Sequence, residues 1–226
     1  MELTSPWTAE QFWRTSRAKG SREYHSLALP GLVARLDGER KFRVLDLGPA
    51  HGLTVKFFSR FSCKLYIADL YRTLQSYRIE PVEDEPVEDE EDDRLSKIFA
   101  ELLPYDPYTR FDLVLAWDLL NYLEPREIEA LSRRLARSSH AATRLFAMIA
   151  IHQEIPARPC GFKIRDSETL EYDTVTPETR SAPRHKEPTL RRLMPGFEVG
   201  STSILRNGLQ EYVFVFSGLT TPRRAG

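Results

Sequence analysis

Apolar residues along this chain gather in short runs, separated by stretches in which they recur at helical spacing. The run "RVLDLG" at 43–48 predicts a buried strand, and "KLYIAD" at 64–69 predicts a second, shorter one. Between them, "HGLTVKFFSRF" at 51–61 sets Leu53, Phe57 and Phe61 four residues apart with Phe58 beside them, which predicts a helix packed on a sheet. Further on, Leu113 to Trp117 within "FDLVLAWDLL" reads as a strand buried on both faces. Pro125 suits a helix's first turn, and Ile128, Leu131 and Leu135 follow at helical spacing. "TRLFAMIAI" at 143–151 predicts a further buried strand. The end of the chain differs: "FEVGSTSIL", then Asn207 and Gly208, then "EYVFVFS" predict a hairpin, because Asn-Gly supplies the positive φ angles of a tight primed turn. Strands alternating with helices, closed by an antiparallel pair, predict an α/β fold with a mostly parallel central sheet covered on both faces. One segment stays ambiguous: "KIFAELLPYD" at 97–106 can be strand or helix.

The chain has 226 residues, enough for one α/β domain with additions, and 1–226 is read as a single domain. Residues 1–40 form an N-terminal extension expected to be helical, in which Trp7, Phe12 and Trp13 precede Arg14, Arg17, Lys19 and Arg22 and could cover a crevice as a lid. Cys63 and Cys160 lack disulfide-framework or zinc spacing, so a reducing, cytoplasmic setting is expected. The N-terminus lacks the apolar core of a signal peptide, and no run reaches the length of a membrane span, so no membrane association is expected.

A net charge of −1 hides a sharp division, because residues 80–93, "EPVEDEPVEDEEDD", hold ten acids and no base. Like charges and prolines oppose helix, strand and burial alike, so 79–93 is expected to be a flexible acidic loop. The rest of the chain is net basic. Residues 152–188 are expected to form a long substrate-side insertion after the strand at 143–151, carrying Arg158, Lys163, Arg165, Arg180, Arg184 and Lys186.

Candidate chemistry centres on the turn "GPAHG" at 48–52. In an open parallel sheet, ligands bind beyond the carboxyl ends of the strands, and the first strand-to-helix turn is where backbone approaches the ligand. Gly48 and Gly52 remove side chains there, the start of the next helix offers unpaired N–H groups, and Asp69 ends the following strand, where a carboxylate can accept both hydroxyls of a ribose. The combination reads as a nucleoside site. An NAD-type G-x-G-x-x-G fails, since its second and third glycines fall on Ala50 and Leu53.

The segment 44–52, Val-Leu-Asp-Leu-Gly-Pro-Ala-His-Gly, resembles the first motif of class I S-adenosylmethionine-dependent methyltransferases, with Ala50 at the middle glycine. Asp69 matches the acidic residue ending that family's second strand. "FDLVLAWDLLNYL" resembles its fourth motif, and the terminal hairpin matches its sixth and seventh strands. The resemblance covers roughly residues 40–217. It implies a Rossmann-like methyltransferase fold in three α-β-α layers, S-adenosylmethionine as cofactor, and methyl transfer to an unidentified acceptor. It also implies cofactor contacts from Asp46, Gly48, Pro49, Ala50, His51, Gly52, Asp69, Leu70 and Trp117. The family's third strand, which ends in an acidic residue near the adenine, is expected near Phe99 or Glu101.

Methyl transfer from a sulfonium is an in-line displacement, so alignment of donor and acceptor supplies much of the rate and a base is needed only for an acceptor that loses a proton. His152 after the fifth strand is the first candidate for that base. Asp118, Asn121 and Tyr122 follow the fourth strand and could orient an acceptor. The chain lacks an Asn-Pro-Pro-Tyr or Asp-Pro-Pro-Tyr run there, which disfavours amino-group methylation of adenine or glutamine. His185 sits in a basic loop and reads as solvated. The acceptor is expected to be a small molecule or a protein; nucleic acid is disfavoured because no RNA-binding motif accompanies the basic residues. A monomer or homodimer is expected. The alternative to an enzyme is a non-catalytic methyltransferase-like module acting in protein–protein interaction.

Overall fold

The most apolar runs of the sequence are the central strands of the molecule. We describe a computed structural model, in which residues 22–36, 40–78, 88–173, 177–205 and 209–218 are described, with the side chains of residues 88–90 left aside. The strands are β1 (Arg22–His25), β2 (Phe42–Asp46), β3 (Cys63–Ile67), β4 (Leu113–Trp117), β5 (Arg144–Ala150), β6 (Glu154–Pro156), β7 (Gly161–Ile164), β8 (Thr169–Asp173), β9 (Thr179–Ser181), β10 (Phe197–Ile204) and β11 (Leu209–Phe216). The helices are α1 (Leu29–Val33), α2 (Gly52–Phe58), α3 (Leu70–Arg78), α4 (Glu88–Leu102), α5 (Pro125–Ala136) and α6 (Glu187–Leu193).

Six strands make the main sheet in the order β10-β11-β5-β4-β2-β3. β3, β2, β4 and β5 run parallel, while β11 and β10 are antiparallel additions. Every residue of β4 is buried, as expected of a strand covered on both faces. Alternation along β2 sends Val44 into the core on one face and Leu45 into the core on the other. The chain steps from β2 to β3 through α2, then returns across β2 to β4 through α3 and α4. Right-handed crossovers in opposite directions put their helices on opposite faces. Accordingly, Phe57 and Phe58 of α2 pack with Val44 and Leu115, whereas Leu74 of α3 and Phe99 of α4 pack with Leu45 and Val114. Strand order therefore reverses between β2 and β4, the kind of switch point beyond whose carboxyl ends ligands bind in open α/β sheets. This is a Rossmann-like α/β arrangement with an antiparallel C-terminal pair.

Helix α5 forms as its sequence directs. Pro125 occupies the first turn, Glu124 and Glu127 form a capping box in which the Glu124 N–H donates to Glu127 at 2.8 Å, and Ile128, Leu131 and Leu135 are buried.

Four sequence expectations change. Residues 88–93 are not loop but the first turns of α4. Acidic side chains suit a helix N-terminus, and burial of Leu95, Ile98 and Phe99 on the core outweighs the charge density that argued against a helix. Residues 79–87 of the expected loop lie outside the described residues. By the same token "KIFAEL" is helical: Phe99 is a core side chain, Glu101 accepts a hydrogen bond from the Tyr77 hydroxyl at 3.1 Å, and no third strand flanks β3 among the described residues.

Helix α2 is shorter than 51–61, and its inner face is Thr54, Phe57 and Phe58, leaving Leu53 39% exposed. The rotation follows from a neighbour the spacing rule ignores: Thr54 Oγ1 accepts the Ile164 N–H at 3.1 Å. That neighbour comes from the fourth change. Part of the N-terminal extension is a strand, since β1 pairs with β8 and β8 with β7 in a second, antiparallel sheet. The insertion supplies β6 to β9, and Phe162, Ile164, Leu170 and Tyr172 pack over Leu115, Phe146 and Met148 of the main sheet. One outer layer is thus part helix and part sheet. Trp7, Phe12, Trp13 and the Asn207–Gly208 turn lie outside the described residues, and no helix among those described is long and apolar enough to cross a membrane.

Candidate functional site at the carboxyl edge of the sheet

Asp46 is the last residue of β2, and its side chain turns inward, 2% exposed. Its Oδ1 accepts two N–H groups, from Gly48 of its own turn at 2.9 Å and from the Trp117 indole at 2.6 Å. Burial pushes the Asp46 carboxyl up to about 6, against the two hydrogen bonds that hold it down. The turn is fixed from β3: Ala68 N–H donates to Asp46 O, Asp69 N–H to Gly48 O and Leu70 N–H to Leu47 O. Pro49 is half-buried, Ala50 and Gly52 are exposed, and His51 holds the extended residue before α2, with φ −122° and ψ 130°.

Asp69 follows β3 with φ 43°, a left-handed conformation that Asp tolerates better than most residues. Its carboxylate is 33% exposed, and Arg72 approaches only to 4.0 Å. Leu70 is fully buried in the core between the sheet and α4.

Trp117 ends β4 with φ 50°, and the β4–β5 register slips between Leu115 and Trp117. Such a conformation costs about 1–3 kcal/mol in a non-glycine residue and persists only where surroundings enforce it. Here they do: the indole stacks on Phe162 at 5.7 Å and 7°, meets Phe146 edge-on at 6.0 Å, and lies so close over the turn that a Cβ on Gly48 would stand 2.9 Å from its Cδ1. Phe162 in turn stacks on Tyr172.

Asp118 is buried beneath the insertion. Its Oδ2 accepts the Cys160 N–H at 2.9 Å, while its Oδ1 has no hydrogen-bond partner among the described residues. Burial pushes its carboxyl up to about 7, and the same burial and carboxyl push the Cys160 thiol up. Asn121 spans the gap where β4 and β5 part: its amide donates to Asp118 O and Met148 O, each at 2.8 Å, and accepts the Ala150 N–H at 2.9 Å. That role is structural. Tyr122 is also buried, with its hydroxyl's pKa raised by burial; Tyr71 lies edge-on and Arg180 stands 6.0 Å over its ring.

His152, two residues past β5, is half-exposed. His185 is not simply solvated: its Nε2 lies 3.2 Å from Leu120 O, and burial lowers its pKa. His51 Nε2 is buried without a hydrogen-bond partner among the described residues, and a Cβ on Gly161 would stand 3.1 Å from it. Burial, followed by nearby Lys163, lowers the His51 pKa.

The structure thus brings Asp46, Gly48, His51, Trp117 and Asp118 together under the insertion, with Asp69 at the open side. Sequence reasoning set the insertion on the substrate side but did not single out the residues that reach this site, Cys160, Gly161 and Phe162. The available signal was alternation in "GFKI" and "TLEYD" around a turn in which Asp166 Oδ1 accepts the Glu168 and Thr169 N–H groups.

No family model and no curated protein matches this sequence. Among solved structures, the chain is similar to an S-adenosylmethionine-dependent methyltransferase from Clostridium acetobutylicum, with 8% identity over 84% of this chain and 91% of that one and a TM-score of 0.47. It is also similar to a TehB-like SAM-dependent methyltransferase from Corynebacterium glutamicum, with 14% identity, 92% and 95% coverage and a TM-score of 0.42. A third is magnesium protoporphyrin IX methyltransferase from Synechocystis with bound SAM, with 15% identity, 93% and 92% coverage and a TM-score of 0.43.

Proposed function

We propose that the chain binds S-adenosylmethionine at the crevice between β2 and β4 and transfers its methyl group to a small-molecule or protein acceptor. The observation that carries this reading is the convergence of Asp46, Gly48 and Asp69 where the order of the parallel strands reverses. The residues fit a nucleoside cofactor: the Asp69 carboxylate is open to accept ribose hydroxyls, and exposed Ala50 and Gly52 leave the turn accessible to a ligand. When bound, the cofactor supplies an activated methyl group on a sulfonium. Asp46 and Gly48 hold its methionine and ribose part, and alignment against the acceptor supplies most of the catalysis. For an acceptor that must lose a proton, His152 is the base, because it is partly open while Asp118 and Tyr122 are buried and shape the wall.

A second reading, a non-catalytic module acting through protein–protein contacts, is favoured by one observation: Trp117, stacked on Phe162, closes over Asp46. Melting temperature with S-adenosylmethionine or S-adenosylhomocysteine tests the cofactor reading. Ligand at 100 times its dissociation constant stabilises the folded chain by about 2.7 kcal/mol, a readily visible rise. No rise with either ligand at millimolar concentration favours the module.

A further inference from the structure

We infer that Trp117 is a displaceable plug, whose indole N–H holds the Asp46 position that a ligand's own donor would take. This rests on the cofactor reading of the crevice and adds a regulatory device to it. Three observations converge on the indole. Its Nε1 donates to Asp46 Oδ1 at 2.6 Å, so the carboxylate oxygen facing the turn already holds a donor where a ligand's ammonium or hydroxyl would bind. Its ring lies so close to Gly48 that a Cβ added there would stand 2.9 Å from Cδ1, so a ligand cannot reach the turn from that side while the ring stays. Its backbone is held at φ 50° at a register slip, a conformation maintained by packing and not by local preference.

The plug is tied to the insertion. Phe162 lies parallel to the indole at 5.7 Å, and on either side of it the insertion is tethered to the crevice: Cys160 N–H donates to Asp118, and Ile164 N–H donates to Thr54. Gly161, between them, packs tightly against the His51 ring, where an added Cβ would stand 3.1 Å from Nε2. An indole that swings off Asp46 therefore loses its stack with Phe162 and disturbs the strand that roofs the acceptor side. Cofactor entry and the setting of the acceptor wall become one event. In the plugged form the insertion is latched; in the liganded form Asp46 changes partner and the latch loosens.

The test uses the full chain and S-adenosylhomocysteine as probe. The sequence holds three tryptophans, Trp7, Trp13 and Trp117, so a Trp7→Phe, Trp13→Phe chain leaves Trp117 as the only indole reporter. Saturating ligand is expected to shift its emission to the red and to raise its quenching by acrylamide, as the ring leaves a buried stack. Separately, Trp117→Phe keeps an aromatic ring but cannot bond Asp46, and is expected to bind the ligand about tenfold more tightly than the parent by calorimetry. If the parent binds with no change in Trp117 emission and Trp117→Phe binds equally or more weakly, the indole is part of the floor and the plug is refuted, while the cofactor reading stands. If neither parent nor variant binds, the cofactor reading itself fails and the plug with it.

Discussion

The indole of Trp117 donates to the Asp46 carboxylate at 2.6 Å, and both side chains are almost wholly buried, 3% and 2% exposed. Two residues far apart in sequence thereby lock the end of β4 to the first turn of the sheet. Asp46→Ala leaves the Trp117 and Gly48 N–H groups without their acceptor. A loss of about 1–3 kcal/mol in unfolding free energy is expected from urea denaturation.

The two glycines of the turn are expected to behave differently. A Cβ at Gly48 meets the Trp117 ring at 2.9 Å, whereas one at Gly52 meets nothing within 4 Å. Gly48→Ala should destabilise the fold by about 1–3 kcal/mol, and Gly52→Ala should change stability by less than about 0.5 kcal/mol. Equal melting temperatures for the two variants would contradict the packing of Trp117 on the turn.

Asp118 predicts a definite pH dependence. Its carboxyl, pushed up to about 7, holds its proton in the folded chain at pH values where the unfolded chain has lost it. Its contribution is therefore fully present below the ordinary aspartate range, near pH 4, and is lost as pH rises through about 7. Asp118→Asn removes this loss and can still accept from the Cys160 N–H. It should exceed the parent in stability by on the order of 2 kcal/mol at pH 8, with the difference shrinking toward pH 4. Denaturant titrations at the two pH values check the sign.

Asn121 holds three backbone groups across the β4–β5 gap. Asn121→Ala strands them in the core and is expected to cost about 3 kcal/mol or more, while Asn121→Asp retains the bond from Ala150 N–H and recovers part of that loss. Thermal unfolding of both variants measures the difference.

Much of this framework is legible in the chain because β2, β4 and β5 are apolar runs covered on both faces, and the glycine turn sits directly after the first of them. Asp46, Gly48 and Asp69 could be placed at the strand ends and in the turn from the sequence for that reason. Helix α4 was obscured because ten acids conceal the stripe of Leu95, Ile98 and Phe99 that docks it. The small sheet was illegible for another reason: β1 finds its partner in β8, across most of the chain, and local patterns carry no information on such pairing. The Trp117–Asp46 bond has the same character. Each residue was placed at the site by its strand, but a contact between residues 71 apart depends on a register slip that the sequence does not announce.

The central claim is that the crevice holds a nucleoside cofactor through Asp69. The measurement that tests it most directly is the calorimetric dissociation constant of S-adenosylhomocysteine for the parent and for Asp69→Asn, since Asn tolerates the left-handed backbone at this position, removes the charge and replaces one acceptor oxygen with a donor. The account predicts binding by the parent, at least about tenfold weaker binding by the variant, and an unchanged melting temperature in the absence of ligand. Equal affinity in the two proteins, or binding by neither, would contradict it.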